Sequence, residues 1–158
     1  MPERRLKSAD QVENWLISLG ESLSQPGSLI LIGSGALLWH AGQRGVGEPL
    51  PENSMDIDPI TDSDEIAMTF YDACIGSEFE RLHGWHLNPM PKAALNELPS
   101  DWEVRKSTKQ YGKLTVHVPS ADDLLVPKMK RGEPRDLSHA RWAFLNGVCT
   151  HDYAGDRP

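Results

Sequence analysis

The chain has 158 residues, of which 39% are hydrophobic and 25% are charged, and its formal net charge is -7. This length suits one hydrophobic core, so we expect a single domain over residues 1–158. The composition excludes collagen-like and disordered chains. The charge argues against a protein that coats nucleic acid by bulk electrostatics, because neutralising phosphates requires a surplus of Lys and Arg.

No apolar run in the sequence reaches the roughly 18 to 20 residues that cross a bilayer. The first residues, MPERRLKSADQVENW, also lack the apolar stretch of a secretory signal. We therefore expect a cytoplasmic protein without a membrane partner. The two cysteines, Cys74 and Cys149, have no Cys or His neighbour at zinc-finger spacing, so we expect both to be reduced.

The first third of the chain predicts helix, strand and helix. SADQVENWLISLGESL has apolar residues at helical spacing behind Ser8, which is a suitable cap. SLILI is a continuous apolar run, typical of a strand buried on both faces. It leads directly into GSGALLWHAG, where small residues precede an apolar helical segment. Such a turn presents backbone N–H groups to an anion such as phosphate.

The middle of the chain predicts strands around one more helix. SMDIDPI is a short strand, which we place at a sheet edge because Pro59 cannot donate to a ladder. Asp62 to Phe79 has the spacing of an amphipathic helix with an acidic first turn. GWHLN, DWEVRKS and KLTVHV then predict strands, the last two joined through TKQYG as a hairpin.

The final third predicts two helices. SADDLLVPKMKR begins with a capping arrangement of Ser120 and Asp123. RDLSHARWAFL places Leu137, Ala140 and Phe144 on one apolar face, and the tail after residue 147 has no pattern and is expected to fray. The order of elements predicts an α/β (α+β) fold in which helices flank a mixed β-sheet.

The strand SMDIDPI carries the strongest chemical motif. Asp56 and Asp58 alternate with Ile57, so both carboxylates project from one face of the strand. Hard cations such as Mg²⁺ bind carboxylate oxygens together with substrate phosphates. The alternative interpretation is an acidic strand edge that prevents aggregation, and the glycines of the GSG turn could equally serve tight packing.

Taken together, these motifs resemble a known superfamily. LILIGSGALLWHAG followed by SMDIDPIT is similar to the minimal nucleotidyltransferases of the DNA polymerase β-like superfamily, in which a GS or GG turn, a helix and a DxD strand follow one another. LTVHVPSADDLLVPKMKRGEPRDLSHARWAF resembles the abortive-infection (type IV) toxin-like members, which carry a lysine on one helix and an Arg/Lys-Asp pair at the start of the next. The resemblance runs from the first strand to Phe144 and implies a nucleotidyltransferase-like fold.

The resemblance implies a phosphate site and a metal site. By position, Gly33 and Ser34 would hold the nucleotide phosphates, and Asp56 and Asp58 would be catalytic ligands of Mg²⁺ (or Mn²⁺). The pattern also expects a third carboxylate on a later central strand, where KLTVHV has a histidine instead. Glu103 is the nearest acidic residue that could serve as the third metal ligand.

The resemblance also assigns roles in the basic C-terminal segment. Lys128 and Arg135 would contact the nucleotide triphosphate or the acceptor, and Asp136 would assist the catalytic lysine. Charge supports this assignment, because an acidic pair alone would repel a triphosphate. Part of the segment, Lys130 or Arg131, is also explained as a solvated helix face. His139 stands where the toxin-like relatives usually have an acid.

The function implied is Mg²⁺-dependent transfer of a nucleoside monophosphate from a nucleoside triphosphate to an RNA (tRNA) or protein acceptor. The setting would be a toxin–antitoxin or phage-defence system, with a cognate antitoxin or toxin protein as partner. One alternative is a non-catalytic protein of the same fold, acting as an antitoxin or nucleotide-binding interaction module. A glycosyltransferase using the DxD motif is a further alternative, although its sugar-nucleotide domain is usually larger.

Overall fold

The computed structural model describes residues 6–51 and 56–156. Within them one mixed sheet contains β1 (Gly27–Ile32), β2 (Asp56–Ile60), β3 (His86–Leu87), β4 (Ser107–Tyr111) and β5 (Leu114–Val118). The helices are α1 (Ala9–Ser22), α2 (Gly33–Gln43), α3 (Asp64–Phe70), α4 (Glu78–His83), α5 (Trp102–Arg105), α6 (Ala121–Arg131) and α7 (Pro134–Leu145), with 3₁₀ segments at Lys92–Glu97 and Ala154–Asp156. The predicted mixed sheet flanked by helices is confirmed. None of these helices is long and apolar enough to span a membrane.

The strand order brings the two sequence motifs together. The sheet runs β3-β2-β1-β5-β4, with β1 parallel to β5 and antiparallel to β2. In that register Asp58 of β2 lies opposite Ile32, the last residue of β1. Because α2 begins at the next residue, the DxD strand lies beside the N-terminus of α2.

The prediction of β2 as an edge strand is wrong, because β2 lies between β1 and β3. Strand β3 pairs with Asp56 and Ile57 and not with Pro59, so the pairing does not need the N–H that proline lacks. Ser54 and Met55, which the sequence assigns to β2, lie outside the described residues.

The two faces of the sheet differ in character because side chains alternate along each strand. On one face Leu31, Ile57 and Val116 are completely buried. Helix α2 packs there so closely that a Cβ added at Gly35 would lie 3.3 Å from Ile57 Cγ1. Each fully buried aliphatic side chain of this kind contributes about 1.5–3 kcal/mol. The opposite face carries Asp56 and Asp58 and is only partly covered.

The predicted strand DWEVRKS is wrong in its first half. Its residues form the short helix α5, where Arg105 pairs with Asp101 at 2.7 Å and with Asp123 at 2.9 Å. Strand β4 starts only at Ser107 and includes most of the segment that we predicted as the turn. The chain reverses instead at Gly112 and Lys113, where Gly112 has φ +57. Local ion pairs of a helical turn therefore outweighed the strand pattern.

The predicted helix from Asp62 to Phe79 is also wrong in extent. It ends at Phe70, and a second helix, α4, begins only at Glu78. Between them Gly76 adopts φ +84, a left-handed conformation that breaks a helix, and Ser77 Oγ accepts a hydrogen bond from Glu80 N at 3.2 Å.

Helix α7 buries the predicted apolar face only in part: Ala140 is buried as predicted, whereas Phe144 is 38% exposed. Asp136 and His139 are buried as well. The polar residues face inward because they bond to α6 and α2, as described below. The prediction that the tail after residue 147 frays is also wrong up to residue 156. Val148 and Cys149 are buried, and the Tyr153 hydroxyl donates a hydrogen bond to Asp122 at 2.9 Å.

Candidate active site

A cleft of about 770 Å³ opens where β1 ends and α2 begins. Its walls come from the sheet, from the segment between β3 and α5, and from helices α6 and α7. The residues that line it are Ile32, Gly33, Ser34, Asp56, Asp58, Asn88, Met90, Ala94, Asn96, Glu97, Leu98, Leu124, Pro127, Lys128, Lys130, Arg131 and Arg135. The cleft therefore combines an acidic pair, several cationic side chains that we call the cationic wall (Lys128, Lys130, Arg131 and Arg135), and apolar residues.

The acidic pair consists of Asp56 and Asp58 on β2. Asn88, which follows β3, donates from Nδ2 to Asp58 Oδ1 at 3.2 Å. Burial and the neighbouring Asp56 carboxylate raise the pKa of Asp58 to about 7, although Asn88 and Lys128 act in the opposite direction. Two carboxylates thus share a poorly solvated position, where a bound cation would relieve their repulsion.

Gly33 lies directly against the Asp58 carboxylate. It adopts φ +75, and a Cβ at this position would lie 2.3 Å from Asp58 Oδ2. The chain therefore needs glycine for its conformation and for the space that the carboxylate occupies. The oxygen donors fit Mg²⁺, which takes one or two carboxylates and completes its shell with water and substrate phosphates. The described residues contain no cluster of three or more His, Cys, Asp or Glu that could hold a metal by itself.

We predict that Gly33→Ala displaces the Asp58 carboxylate and abolishes Mg²⁺-dependent nucleotide binding. Gly45→Ala is the matched control, because Gly45 has a similar φ of +72 but nothing within 4 Å of an added Cβ. Both substitutions should cost about 1–2 kcal/mol of unfolding free energy from the left-handed backbone. Urea unfolding and isothermal calorimetry would check this, and equal nucleotide affinity in the two variants would contradict it.

The turn at Gly33 and Ser34 is connected to α6 and α7 by buried polar contacts. Lys128 Nζ donates to Ser34 Oγ at 3.0 Å, and both atoms lie close to His139 Nδ1, at 3.3 Å and 3.2 Å. Lys128 is only 5% exposed and His139 is completely buried. Burial lowers the pKa of Lys128 to about 8, which Asp136 partly offsets. The lysine is thus held at the N-terminus of α2, facing the cleft.

Asp136 lies next to Lys128, outside the cleft. Arg131 binds it through Nε at 2.8 Å and Nη2 at 2.6 Å, while Lys128 Nζ is 3.8 Å from its Oδ1. Burial is the largest influence and raises the pKa of Asp136, but Arg131, Lys128 and the backbone N–H of Glu133 together outweigh it, so the pKa is lowered overall. Asp136 does not line the cleft, so its contacts fit a carboxylate that orients the two cations.

The family comparison agrees with this geometry. Residues 4–153 match a family described as "Nucleotidyltransferase of unknown function (DUF6036)". The chain belongs to this nucleotidyltransferase family. Comparison with curated proteins and with solved structures gave no match. The matched region includes both DxD carboxylates and the whole basic segment of α6 and α7.

Glu103 does not supply a third carboxylate at the candidate site. It lies on α5 instead of a strand, its side chain is exposed, and it does not line the cleft. The strand position that the pattern reserves for an acid is occupied by His117 of β5, whose Nδ1 lies 3.0 Å from Thr108 Oγ1. The prediction of Glu103 as a metal ligand is therefore corrected.

Three residues of the cleft were missed or misassigned from the sequence. Asn88 has no motif of its own, and only the parallel pairing of β2 with β3 brings it to Asp58. Arg131, interpreted as a solvated residue, lines the cleft and is fixed by Asp136. Glu97 enters through the 3₁₀ segment, whose sequence KAALNE gave no functional signal.

Proposed function

We propose that this protein transfers a nucleoside monophosphate from a nucleoside triphosphate to an RNA (tRNA) or protein acceptor, with Mg²⁺ (or Mn²⁺) as cofactor. The observation that carries the proposal is the cleft itself. It places an acidic pair opposite the N-terminus of an 11-residue helix and a cationic wall. These are the groups that a metal-bound triphosphate requires.

The triphosphate would lie between α2 and the cationic wall. Gly33 and Ser34 offer backbone N–H groups at a helix N-terminus, where the helix dipole favours anions. Lys128 lies beside them. Arg135 is exposed in the cleft and forms no ion pair with the described residues, so its guanidinium is available for phosphate oxygens.

Asp56 and Asp58 would hold the cation. When bound, Mg²⁺ neutralises charge on the triphosphate and lowers the pKa of the attacking hydroxyl. The chain's own contribution is position: Asn88 orients Asp58, Gly33 leaves room for its carboxylate, and Lys128 offsets the negative charge that gathers on the phosphates.

The apolar residues of the cleft suit the nucleoside. Met90, Ala94, Leu98, Leu124 and Pro127 line the cleft together with its charged groups. Binding sites for small molecules commonly pair such a surface with a few polar groups that fix orientation. A base and ribose would bury apolar area there while the phosphates face Lys128. The shape of the cleft thus supports a whole nucleotide as the ligand.

The proposed setting is a toxin–antitoxin or phage-defence system in the cytoplasm, with a cognate antitoxin or toxin as partner. The support is the resemblance of α6 and α7 to abortive-infection (type IV) toxin-like proteins. Lys128, Arg135 and Asp136 have the order seen in that pattern. Lys128 and Arg135 line the cleft, and Asp136 lies outside it with its Oδ1 3.8 Å from Lys128 Nζ.

The test is a transfer assay with each of the four α-labelled NTPs, Mg²⁺, and total tRNA or cell extract. Labelled RNA or protein is expected with the wild-type chain and not with Asp56→Asn. Undiminished labelling by that variant would refute the mechanism. The growth effect of expressing each form in cells would test the toxin role separately.

A second candidate is a nucleotide-binding module without catalysis. The absence of a three-ligand acidic cluster in the described part of the chain favours it. Binding of an NTP with Mg²⁺, measured by calorimetry, combined with no transfer to any acceptor would support this candidate over the enzyme.

A further inference from the structure

We propose that His139 is a positioning residue, which holds the Ser34 hydroxyl and the Lys128 ammonium where a triphosphate needs them. This inference rests on the proposed function. Its starting point is that a completely buried imidazole contacts both phosphate-binding side chains, at 3.2 Å and 3.3 Å, through the same nitrogen, Nδ1.

The hydrogen-bond partners fix the tautomer of His139. Its Nε2 lies 3.0 Å from the carbonyl oxygen of Pro51, which is an acceptor. Nε2 therefore carries the proton and donates a hydrogen bond to that oxygen. The opposite nitrogen, Nδ1, then has a lone pair and accepts. Its neighbours suit that role, because the Lys128 ammonium and the Ser34 hydroxyl are both donors.

An imidazole acceptor has a consequence for the charge of the cleft. It orients the Lys128 ammonium without neutralising it, which a carboxylate at the same distance would do. Asp136 does not neutralise it fully either, because both of its oxygens bind Arg131. The neutral imidazole therefore orients Lys128, and the positive charge of Lys128 remains able to attract phosphate oxygens.

His139 also connects separate parts of the site. Pro51 belongs to the segment that precedes β2, Ser34 begins α2, and Lys128 belongs to α6. A single side chain on α7 thus fixes the relative positions of these three segments. Loss of its Nδ1 acceptor should loosen Ser34 and Lys128, whereas loss of its Nε2 donor should loosen the segment around Pro51.

Two substitutions separate these contacts. His139→Asn keeps an acceptor near the position of Nδ1, and His139→Gln keeps a donor near the position of Nε2. His40→Gln is the matched control, because His40 is also buried, its Nε2 lies 2.7 Å from the carbonyl oxygen of Pro119, and it does not line the cleft. The probe is inorganic tripolyphosphate with Mg²⁺, measured by calorimetry.

We expect His139→Gln to raise the Kd for tripolyphosphate about tenfold and His139→Asn about threefold, because only the Asn variant keeps an acceptor for Ser34 and Lys128. A tenfold change corresponds to about 1.4 kcal/mol. His40→Gln should leave the Kd unchanged. In the transfer assay the Gln variant should raise KM more than it lowers kcat. Equal Kd values for the Gln and Asn variants, or an equal loss in the His40 control, would overturn the proposal.

A spectroscopic measurement separates this proposal from the proposed function. Long-range ¹H–¹⁵N correlation of the wild-type imidazole should show the Nε2–H tautomer, and the Lys128 side-chain resonance should shift in His139→Gln but not in His40→Gln. An Nδ1–H tautomer would refute the positioning role. If the wild-type protein binds no triphosphate, the proposed function fails. The role of His139 is then decided by two other results, the tautomer of its imidazole and the shift of the Lys128 resonance in His139→Gln. These wild-type spectra also decide it if the variants do not fold.

Discussion

Asp58→Asn is expected to lower kcat for nucleotide transfer by about 10³-fold, because a bound metal supplies several kcal/mol of charge stabilisation and each 1.36 kcal/mol is a factor of ten. The amide is nearly the same size as the carboxylate, so it keeps the packing against Gly33 but no longer supplies a charged oxygen for the cation. Asp62→Asn is the control, since Asp62 is exposed, belongs to the same acidic segment and does not line the cleft. A loss below tenfold for Asp58→Asn would contradict the metal site.

The same substitution should change how stability depends on pH. The pKa of Asp58 is raised from 3.8 to about 7 in the folded protein, chiefly by burial. The folded state therefore binds this proton more tightly than the unfolded state does. Stability from this group is fully present below about pH 4 and is lost as the pH rises through about 7.

In metal-free buffer the wild type should thus lose on the order of 2–4 kcal/mol of unfolding free energy between pH 4 and pH 8 from Asp58, and Asp58→Asn should not. Urea titrations at both pH values measure this. Mg²⁺ with a triphosphate should restore stability to the wild type at pH 8, because ligands that bind only the folded state stabilise it. The same loss in Asp58→Asn would assign the pH dependence to another group.

The sequence predicted the elements that carry the site better than it predicted the elements around it. Strand β1, helix α2 and strand β2 combine a continuous apolar run, a glycine turn and alternation around Ile57, all of which act over a few residues. The segment 101–111 failed because Arg105 binds Asp101 and Asp123, and the second of these contacts depends on tertiary structure. Pattern alone gave no account of that contact.

Helix α7, which contributes residues to the site, is another element whose tertiary contacts the local sequence pattern did not predict. Apolar spacing predicted Phe144 inside, but the helix buries Asp136 and His139. Both are polar residues whose partners, Arg131 and Ser34, lie on other elements. Burying them is favourable only because those bonds form. Local sequence rules fail here at residues of the candidate site, and Asn88 is a further case, since only strand pairing brings it to Asp58.

Lys128→Met is expected to lower kcat/KM about 10²- to 10³-fold, mainly through a higher KM, because it removes a buried cation that faces the triphosphate and each factor of ten is 1.36 kcal/mol. Met has a similar length and no charge, and Asp136 keeps its bidentate partner Arg131. The free energy of unfolding should therefore stay the same or rise, since a buried ammonium is costly. Lys113→Met is the control, because Lys113 is exposed in the turn after β4 and away from the cleft.

The pH profile distinguishes a charged Lys128 from a merely structural one. Burial lowers its pKa from 10.5 to about 8, so the free enzyme loses this positive charge as the pH rises through about 8. The kcat/KM of the wild type should fall above that pH, because kcat/KM reports groups of the free enzyme. Lys128→Met should lack the fall, and Lys113→Met should keep it.

The free energy of unfolding should change in the opposite direction from activity. Because the folded state disfavours the Lys128 ammonium, the wild type gains stability between about pH 8 and 10.5, and Lys128→Met does not. If activity and stability of the wild type fell together above pH 8, unfolding rather than loss of the phosphate-binding charge would explain the profile.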